Sequence, residues 1–293
     1  MIKKVVVTGA NGFLGSYLTQ QMVLEEIEVY AIVRSHEKAK KRFKENIYIH
    51  IIELDMKDIS QLVNLIPKPI DVFYHLAWNG ERNAFEEQTN NIHYAVEALE
   101  VAAKLGCKKF ICTGSQAEYG IYQTKTDETT LPNPNTAYGV AKLAACYLTR
   151  FRSEQLGIEW IWARVFSVYG KNDNPKALIP YLVKTLKAGD SPKVSAGLQQ
   201  WDFLHGNDAA DALIALAQTD VAQGIYHVAS GNSRPLRYFI ETVRDIIAPE
   251  QTIQYDTVTS GGVELFTSID KIKKMTGWTP KFKFFDGIYD ILK

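Results

Sequence analysis

Tyr138 and Lys142 stand four residues apart in Tyr138-Gly139-Val140-Ala141-Lys142, just after Pro134-Asn135-Thr136. At helical spacing such a pair shares one face, so a phenol and an ammonium point to the same side. A close unit cation favours phenolate and lowers a tyrosine pKa by roughly 1–3 units. A phenol tuned that way exchanges a proton with an alcohol or ketone near neutral pH. An ordinary surface pair has the same spelling, so the neighbours must decide. Ser115 is one of them: it follows Thr113-Gly114 at the end of an apolar run. A hydroxyl just past the carboxyl end of a strand sits where open α/β sheets bind ligands. From there it can hydrogen-bond the same substrate oxygen as Tyr138. The alternative for Ser115 is a plain turn residue.

A second constellation is built for anions. Val5-Val6-Val7-Thr8 reads as a buried strand, and Gly9, Gly12 and Gly15 then recur at every third position as the chain turns into a helix. Without side chains there, a diphosphate can approach the backbone and meet the helix's first N–H groups and its positive dipole end. A tight strand-to-helix turn takes glycines for its own sake as well.

The elements that must position these groups alternate in type. Strand patterns at 4–8, 27–33, 47–53, 70–76, 108–113 and 159–165 interleave with helix patterns at 13–25, 57–65, 83–105 and 136–156. That is the signature of an α/β fold, a doubly wound parallel sheet covered on both faces. After Gly170 the regularity weakens: 172–175 is a loop, 176–188 an amphipathic helix, and 189–200 is rich in turn formers. Helical patterns at 207–217 and 236–247 flank a strand at 224–229. The expected organisation is a sheet domain over 1–170, with about 200–228 returning to it, and a smaller interleaved lobe within 171–293 on the sheet's carboxyl edge.

Charge and cysteine usage narrow the partners. Lys+Arg is 33 and Asp+Glu is 33, so no broad field draws the chain to nucleic acid or an anionic membrane. Cys107, Cys112 and Cys146 fit no metal-ligand spacing, and an odd count argues against a disulfide framework. No metal site is expected, and the thiols read as buried. The first strand begins at Ile2, which leaves no room for a signal peptide, and no apolar run reaches membrane-spanning length. A cytoplasmic protein is the expectation.

Thr8-Gly9-Ala10-Asn11-Gly12-Phe13-Leu14-Gly15, the Ser115 to Gly120 segment, Tyr138 to Lys142 and Asp202-Phe203-Leu204-His205 occur in a telling order. In that order the chain resembles the extended short-chain dehydrogenases/reductases, the NAD(P)-dependent sugar-nucleotide epimerase/dehydratase family. Asp55-Met56, His75-Leu76-Ala77, Asn91, Arg164 with Val168-Tyr169-Gly170, and Gly277-Trp278-Thr279-Pro280 extend the resemblance over essentially the whole chain. It implies a Rossmann-like domain, a small C-terminal substrate-binding domain and a Ser-Tyr-Lys catalytic set. By resemblance Tyr138 is the acid/base, Lys142 tunes it and holds the nicotinamide ribose, and Ser115 orients the substrate oxygen. The implied cofactor contacts are Gly9, Asn11, Gly12, Phe13, Leu14, Gly15, Arg34, Asp55, Met56, Leu76 and Ala77, with Tyr138 and Lys142. Asp55 is the adenine contact by resemblance, or else a strand-end cap. The substrate side falls to Ser115, Gln116, Trp78, Ser167, Trp201 and Arg234. A homodimer through the helices at 83–105 and 136–156 is also implied.

Departures from the family's pattern narrow the reaction. Its 4,6-dehydratases follow the catalytic hydroxyl with acids, where this chain has Gln116 and Ala117. A methyl group donates no proton, so dehydration is disfavoured. Glu118 is acidic but one place further on; in an extended segment that shift turns it to the opposite side, which makes it structural. NAD-preferring members end the second strand with an acid, where this chain has Val33 followed by Arg34. A guanidinium pairs with a 2′-phosphate, so NADP(H) is favoured over NAD(H), unless Arg34 is simply a solvated charge. Trp201 replaces the arginine that often meets the nucleotide diphosphate; an indole can stack on a base or sugar, and Arg234 or Arg237 is left to take the anion. Ser167 replaces the asparagine before Val-Tyr-Gly. The expected activity is hydride transfer at a carbinol or ketone of a nucleotide sugar, with a 4-ketosugar reductase slightly ahead of a 4-epimerase. A cofactor-sensing binding protein is the remote alternative, disfavoured because Ser115, Tyr138 and Lys142 are all retained.

Overall fold

Val5, Val6 and Val7 are wholly buried because the strand they form, β1 (Lys4–Thr8), has a paired strand on each side. The structure is a computed structural model that describes residues 2–256 and 263–293. After β1 come α1 (Phe13–Leu24), β2 (Glu28–Val33), α2 (His36–Arg42), β3 (Ile49–Glu53) and the short α3 (Leu62–Leu65). Then follow β4 (Val72–His75), α4 (Phe85–Lys104), β5 (Lys109–Ser115), α5 (Ala137–Leu156) and β6 (Glu159–Val165). The second half contributes β7 (Ser167–Tyr169), α6 (Leu178–Lys187), β8 (Lys193–Val194), β9 (Gln200–Trp201) and β10 (Phe203–His205). It ends with α7 (Gly206–Gln218), β11 (Gly224–Val228), β12 (Arg234–Pro235), α8 (Leu236–Ile247), β13 (Gln254–Tyr255), α9 (Asp270–Thr276) and α10 (Phe284–Leu292).

Seven strands form one parallel sheet in the order β11-β6-β5-β4-β1-β2-β3. The order reverses between β1 and β4, and a doubly wound sheet opens its ligand crevice at that switch point. One face is covered by α1 and α7, whose Leu18, Met22, Leu213 and Leu216 share a core cluster. The other is covered by α4 and α5, whose Leu99, Ala102, Ala145 and Cys146 share another. A third apolar cluster joins α6, α8 and α10 through Leu182, Phe239, Ile240 and Ile288.

The sheet strands fall where the sequence pattern puts them, with β5 running on to Ser115. The helix expected over 57–65 is instead a 3₁₀ turn, Met56–Gln61, that passes into the four-residue α3. Asp55 caps it by accepting from the Lys57 N–H, and Pro67, two residues past Leu65, cannot continue it. Helices α2, α9 and α10 and the two-stranded pairs β7/β10, β9/β12 and β8/β13 are not among the elements expected from the sequence pattern. All three cysteines are free and buried, and no helix among the described residues is long and apolar enough to cross a membrane.

Candidate active site

A cleft of about 250 Å³ opens where the ends of β1 and β4 part. Gly9, Asn11 and Gly12 form its floor, Leu76, Ala77 and Trp78 one wall, and Arg34, Asp55 and Met56 its outer end. Two of the turn's glycines are required by the protein itself. Gly9 has φ 68°, and a Cβ there would lie 2.9 Å from the Ala77 nitrogen. A Cβ on Gly15 would lie 2.2 Å from the Gly9 carbonyl oxygen. Gly12 differs: it is exposed, and an added Cβ would meet only the Gly9 carbonyl oxygen, at 3.0 Å. It also stands at the N-cap of α1 with no side-chain cap, and no acid occupies the helix's first turn. The backbone N–H groups at Phe13 and Leu14 therefore open a dipole end that no side chain neutralises, while their side chains pack on the core. This fits a dinucleotide diphosphate.

The outer end of the cleft carries the adenosine-side residues. Asp55 lines it and also caps the 3₁₀ turn. Arg34 donates from Nη1 to Asn79 Oδ1 at 3.0 Å, and Asn79 is held in turn by Asn91, which accepts from its N–H and donates to its carbonyl. Glu87, Asn90, Asn91 and Tyr94 of α4 add a wall that the sequence reading did not assign, Asn91 having entered only as a family match. Their spacing, one face of a helix, was the available signal.

Ser115, Tyr138 and Lys142 come together beyond Trp78. Thr136 caps α5 by accepting from the Gly139 N–H, and the Tyr138 N–H donates to the Arg82 carbonyl, which fixes the phenol in the first turn. The Ser115 hydroxyl, at the end of β5, accepts from the Ala117 N–H and lies close enough to the Tyr138 phenol to lower its pKa. Lys142 is 3 % exposed. Its Nζ donates to the Thr113 carbonyl at 2.6 Å and lies 3.6 Å from the centroid of the Trp78 ring. That indole is edge-on to Tyr138 and is itself held by a 2.8 Å bond from its Nε1 to Gln88.

The electrostatics differ from the expectation that Lys142 draws the phenol down. The Lys142 nitrogen lies 5.9 Å from the centroid of the Tyr138 ring and is spent on the Thr113 carbonyl. Burial dominates instead and raises the Tyr138 pKa, opposed by the nearby Ser115 hydroxyl. Burial also pushes the Lys142 ammonium down to about 8. At neutral pH the pair is a neutral phenol beside a cation.

Glu118 is structural, but the reason differs from the extended-segment argument. Gln116–Glu118 is a 3₁₀ turn, so alternation does not apply. The turn drives Glu118 inward to 0 % exposure, where its carboxylate accepts from the Ser115 N–H and from Trp162 Nε1, both at 2.8 Å, and pairs with Arg164 at 2.7 Å. Gly114 makes room for it: a Cβ there would lie 2.5 Å from the carboxylate. Gln116 is half-buried at the start of the turn.

The remaining substrate-side residues lie further along the chain. Ser167 is in β7, beside Phe203 of β10, and Trp201 in β9 stands opposite Arg234 in β12. Trp201 packs against the cluster that holds Tyr119, Phe166 and Leu265, and its buried Nε1 has no partner among the described residues. Arg234 is exposed, whereas Arg237 stacks its guanidinium 4.1 Å from the centroid of the Tyr255 ring and keeps a buried Nε without a partner among the described residues. Of the two arginines, Arg237 is the one built into the lobe. No group of metal-ligating side chains occurs among the described residues.

Residues 5–229 match the NAD dependent epimerase/dehydratase family. UDP-glucuronic acid 4-epimerase from Bacillus cereus, solved with UDP-glucuronic acid and NAD, is 25% identical, with a TM-score of 0.87 over 99% of this chain and 98% of that one. The UDP-N-acetylglucosamine 4-epimerase of Methanobrevibacter ruminantium M1, solved with UDP-N-acetylmuramic acid, has a TM-score of 0.90 at 22% identity, covering 99% of this chain and 97% of that chain, a likeness of fold. The dTDP-6-deoxy-L-talose 4-dehydrogenase (NAD(+)) of Aggregatibacter actinomycetemcomitans is 25% identical over 81% of this chain and 88% of its own.

The glycines separate folding from binding. Gly12→Ala leaves the melting temperature nearly unchanged but weakens NAD(P) binding roughly tenfold, the equivalent of about 1.4 kcal/mol. Gly15→Ala, which overpacks the turn, costs at least about 1–3 kcal/mol of stability. Thermal melts and cofactor titrations of both variants check this. Lys142 gives a pH-resolved outcome. Because its folded-state pKa of about 8 lies below the ordinary 10.5, its burial costs stability in full below pH 8, and the cost fades as pH rises to 10.5. Lys142→Met therefore raises the melting temperature most below pH 8, and the gain shrinks toward pH 10.5, while activity is lost.

Proposed function

The chain belongs to the NAD dependent epimerase/dehydratase family, and from that premise we propose that it performs hydride transfer at a carbinol of a nucleotide sugar, as a 4-epimerase. One observation carries the reading: Tyr138, with the Ser115 hydroxyl close enough to lower its pKa, packs on the far side of Trp78 from a cleft whose floor is an uncapped helix start. The solved Bacillus cereus relative is a UDP-glucuronic acid 4-epimerase, which supports the same reaction class.

A nicotinamide dinucleotide held by Gly9, Asn11, Gly12, Phe13, Leu14 and Gly15 supplies the hydride acceptor and donor. This chain's residues manage the proton. In the oxidative half the Tyr138 oxygen acts as phenolate, its own proton having passed to solvent, and takes the carbinol proton; the neutral phenol so formed returns it to the ketone oxygen in the reductive half. Ser115 orients that oxygen. Lys142 keeps a fixed positive charge beside the site and is assigned to the ribose. Gln116 and Ala117 provide no acid for loss of water, and Glu118 is consumed by Arg164, so dehydration is not supported. Trp78, Ser167 and Trp201 are assigned to the substrate wall, with Arg237 ahead of Arg234 for the diphosphate.

A second reading, a 4-ketosugar reductase using NADP(H), is favoured by Arg34. Its guanidinium lines the outer cleft, where Val33 stands in place of a carboxylate. The talose relative is a 4-dehydrogenase, which supports C4 chemistry without epimerisation. The proposed assembly is a homodimer: Val140, Tyr147, Leu148 and Phe151 leave an exposed apolar face on α5, and Phe85 adds to α4. A cytoplasmic location fits the free thiols. The cofactor-sensing alternative would leave the Ser115–Tyr138 pairing without a purpose.

Tyr138→Phe should lower kcat by about 10²–10⁴-fold while cofactor affinity stays within a few fold. Full activity in that variant would end the enzyme reading. The two reactions separate by stoichiometry: an epimerase interconverts a panel of UDP-sugars with no net change at the nicotinamide band, whereas a reductase consumes NADPH mole for mole with a 4-keto sugar. Arg34→Ala should weaken NADP(H) binding by roughly tenfold while NAD(H) binding holds. Equal loss for both, or none for either, would remove the NADP preference.

A further inference from the structure

Behind Ser115 runs a chain of buried polar groups that hydride transfer itself does not use. Glu118 accepts from the Ser115 N–H and receives the Arg164 Nε–H at 2.7 Å. Arg164, 1 % exposed, donates from Nη1 to the Tyr119 hydroxyl at 2.6 Å. The Tyr119 hydroxyl meets His227 Nε2 at 2.5 Å, and His227, fully buried, reaches Thr267 Oγ1 at 2.7 Å and the Ser268 carbonyl at 3.2 Å through Nδ1.

Most of the donors and acceptors along it are fixed by chemistry. A guanidinium only donates, so the Tyr119 oxygen accepts from Arg164. A carbonyl only accepts, so the Ser268 oxygen requires the proton on His227 Nδ1. Nε2 is then bare and faces the Tyr119 hydroxyl, whose single proton is shared between Nε2 and the Asp127 carbonyl at 2.9 Å, and Thr267 Oγ1 accepts from Nδ1 and donates onward to the Thr126 carbonyl at 3.2 Å. Burial, aided by the Arg164 charge, pushes the His227 pKa down to about 3, so this tautomer persists at working pH.

The far end of the chain is the segment that carries the second lobe's polar contacts. Leu265 N–H donates to the Gln200 carbonyl and Glu264 accepts from the Gln200 N–H, next to Trp201. Phe266 and Ser268 bracket Thr126 by backbone hydrogen bonds at 2.8 and 2.9 Å. Residues 264–268 thus touch both the Trp201 strand and the His227 end.

We propose that Glu118, Arg164, Tyr119 and His227 are positioning residues that hold Ser115 toward Tyr138 and tie its alignment to the seating of residues 264–268. The inference rests on the reading that Ser115 and Tyr138 act as a pair. A bare serine at a strand end has three staggered rotamers. Here the Ala117 N–H donates to its hydroxyl while Glu118, held by the rest of the chain, accepts from its backbone N–H, so the capped turn that Glu118 closes keeps the hydroxyl in one rotamer beside the phenol. A partly satisfied buried network costs more than an apolar one, so breaking one link disturbs its neighbours.

The test needs no substrate. In protein labelled with ¹³Cζ-tyrosine, the Tyr138 resonance, assigned by its loss in Tyr138→Phe, reports the hydrogen bond at the phenol oxygen. Ser115→Ala should displace it. Tyr119→Phe and His227→Leu should displace it in the same direction, and His227→Gln, whose amide oxygen can accept from Tyr119, should restore it. Tyr119→Phe keeps the ring and the packing, so it stands in if His227→Leu does not fold. If Ser115→Ala moves the resonance and Tyr119→Phe does not, the positioning chain is wrong and the site reading survives. If Ser115→Ala leaves the resonance in place, the Ser115–Tyr138 pairing itself is wrong.

Discussion

A cation kept out of water governs the architecture around this site. The Lys142 ammonium has one carbonyl and one indole face for company, and desolvation depresses its pKa to about 8. A lone buried charge is tolerated only where fixed dipoles and π density replace water. The end of β5 supplies the carbonyl, the loop after β4 supplies Trp78, and Gln88 of α4 locks that indole. The same packing desolvates Tyr138 and holds it as an acid. Stability is given up here for a charge in a fixed place, which is the common trade at functional sites.

The sheet makes that arrangement possible. The β1–β4 switch point opens a crevice, and the uncapped start of α1 puts partial positive charge on its floor. Both features come from backbone order and from glycines, not from charged side chains. A neutral chain with 33 positive and 33 negative side chains can therefore offer a local anion site without a basic surface. The carboxylate of Glu118 sets the other boundary, since its turn and its pairing with Arg164 hold the strand end that carries Ser115.

Much of this was legible in the residues. The runs of β-branched residues marked the sheet strands because both faces of the sheet are buried, the Gly-x-x-Gly-x-x-Gly spacing marked the turn that floors the cleft, and Tyr-x-x-x-Lys marked one face of α5. What was not legible depended on burial and on distant partners. Spacing alone put Lys142 beside Tyr138 but could not tell that burial would outweigh the cation. Glu118 was read as structural from an extended geometry, while the chain makes a 3₁₀ turn there. Its partners Trp162 and Arg164 lie more than forty positions away, at separations of 44 and 46 residues, and no local pattern announces them. The wall of α4 was within reach, because Glu87, Asn91 and Tyr94 fall at helical spacing.

The most direct measurement is the structure of the protein crystallised with NAD or NADP. The account requires the diphosphate on the N–H groups at Phe13 and Leu14, and the nicotinamide end beside Ser115, Tyr138 and Lys142. A dinucleotide bound elsewhere, or one whose nicotinamide is kept from Tyr138 by an unmoved Trp78, would contradict it.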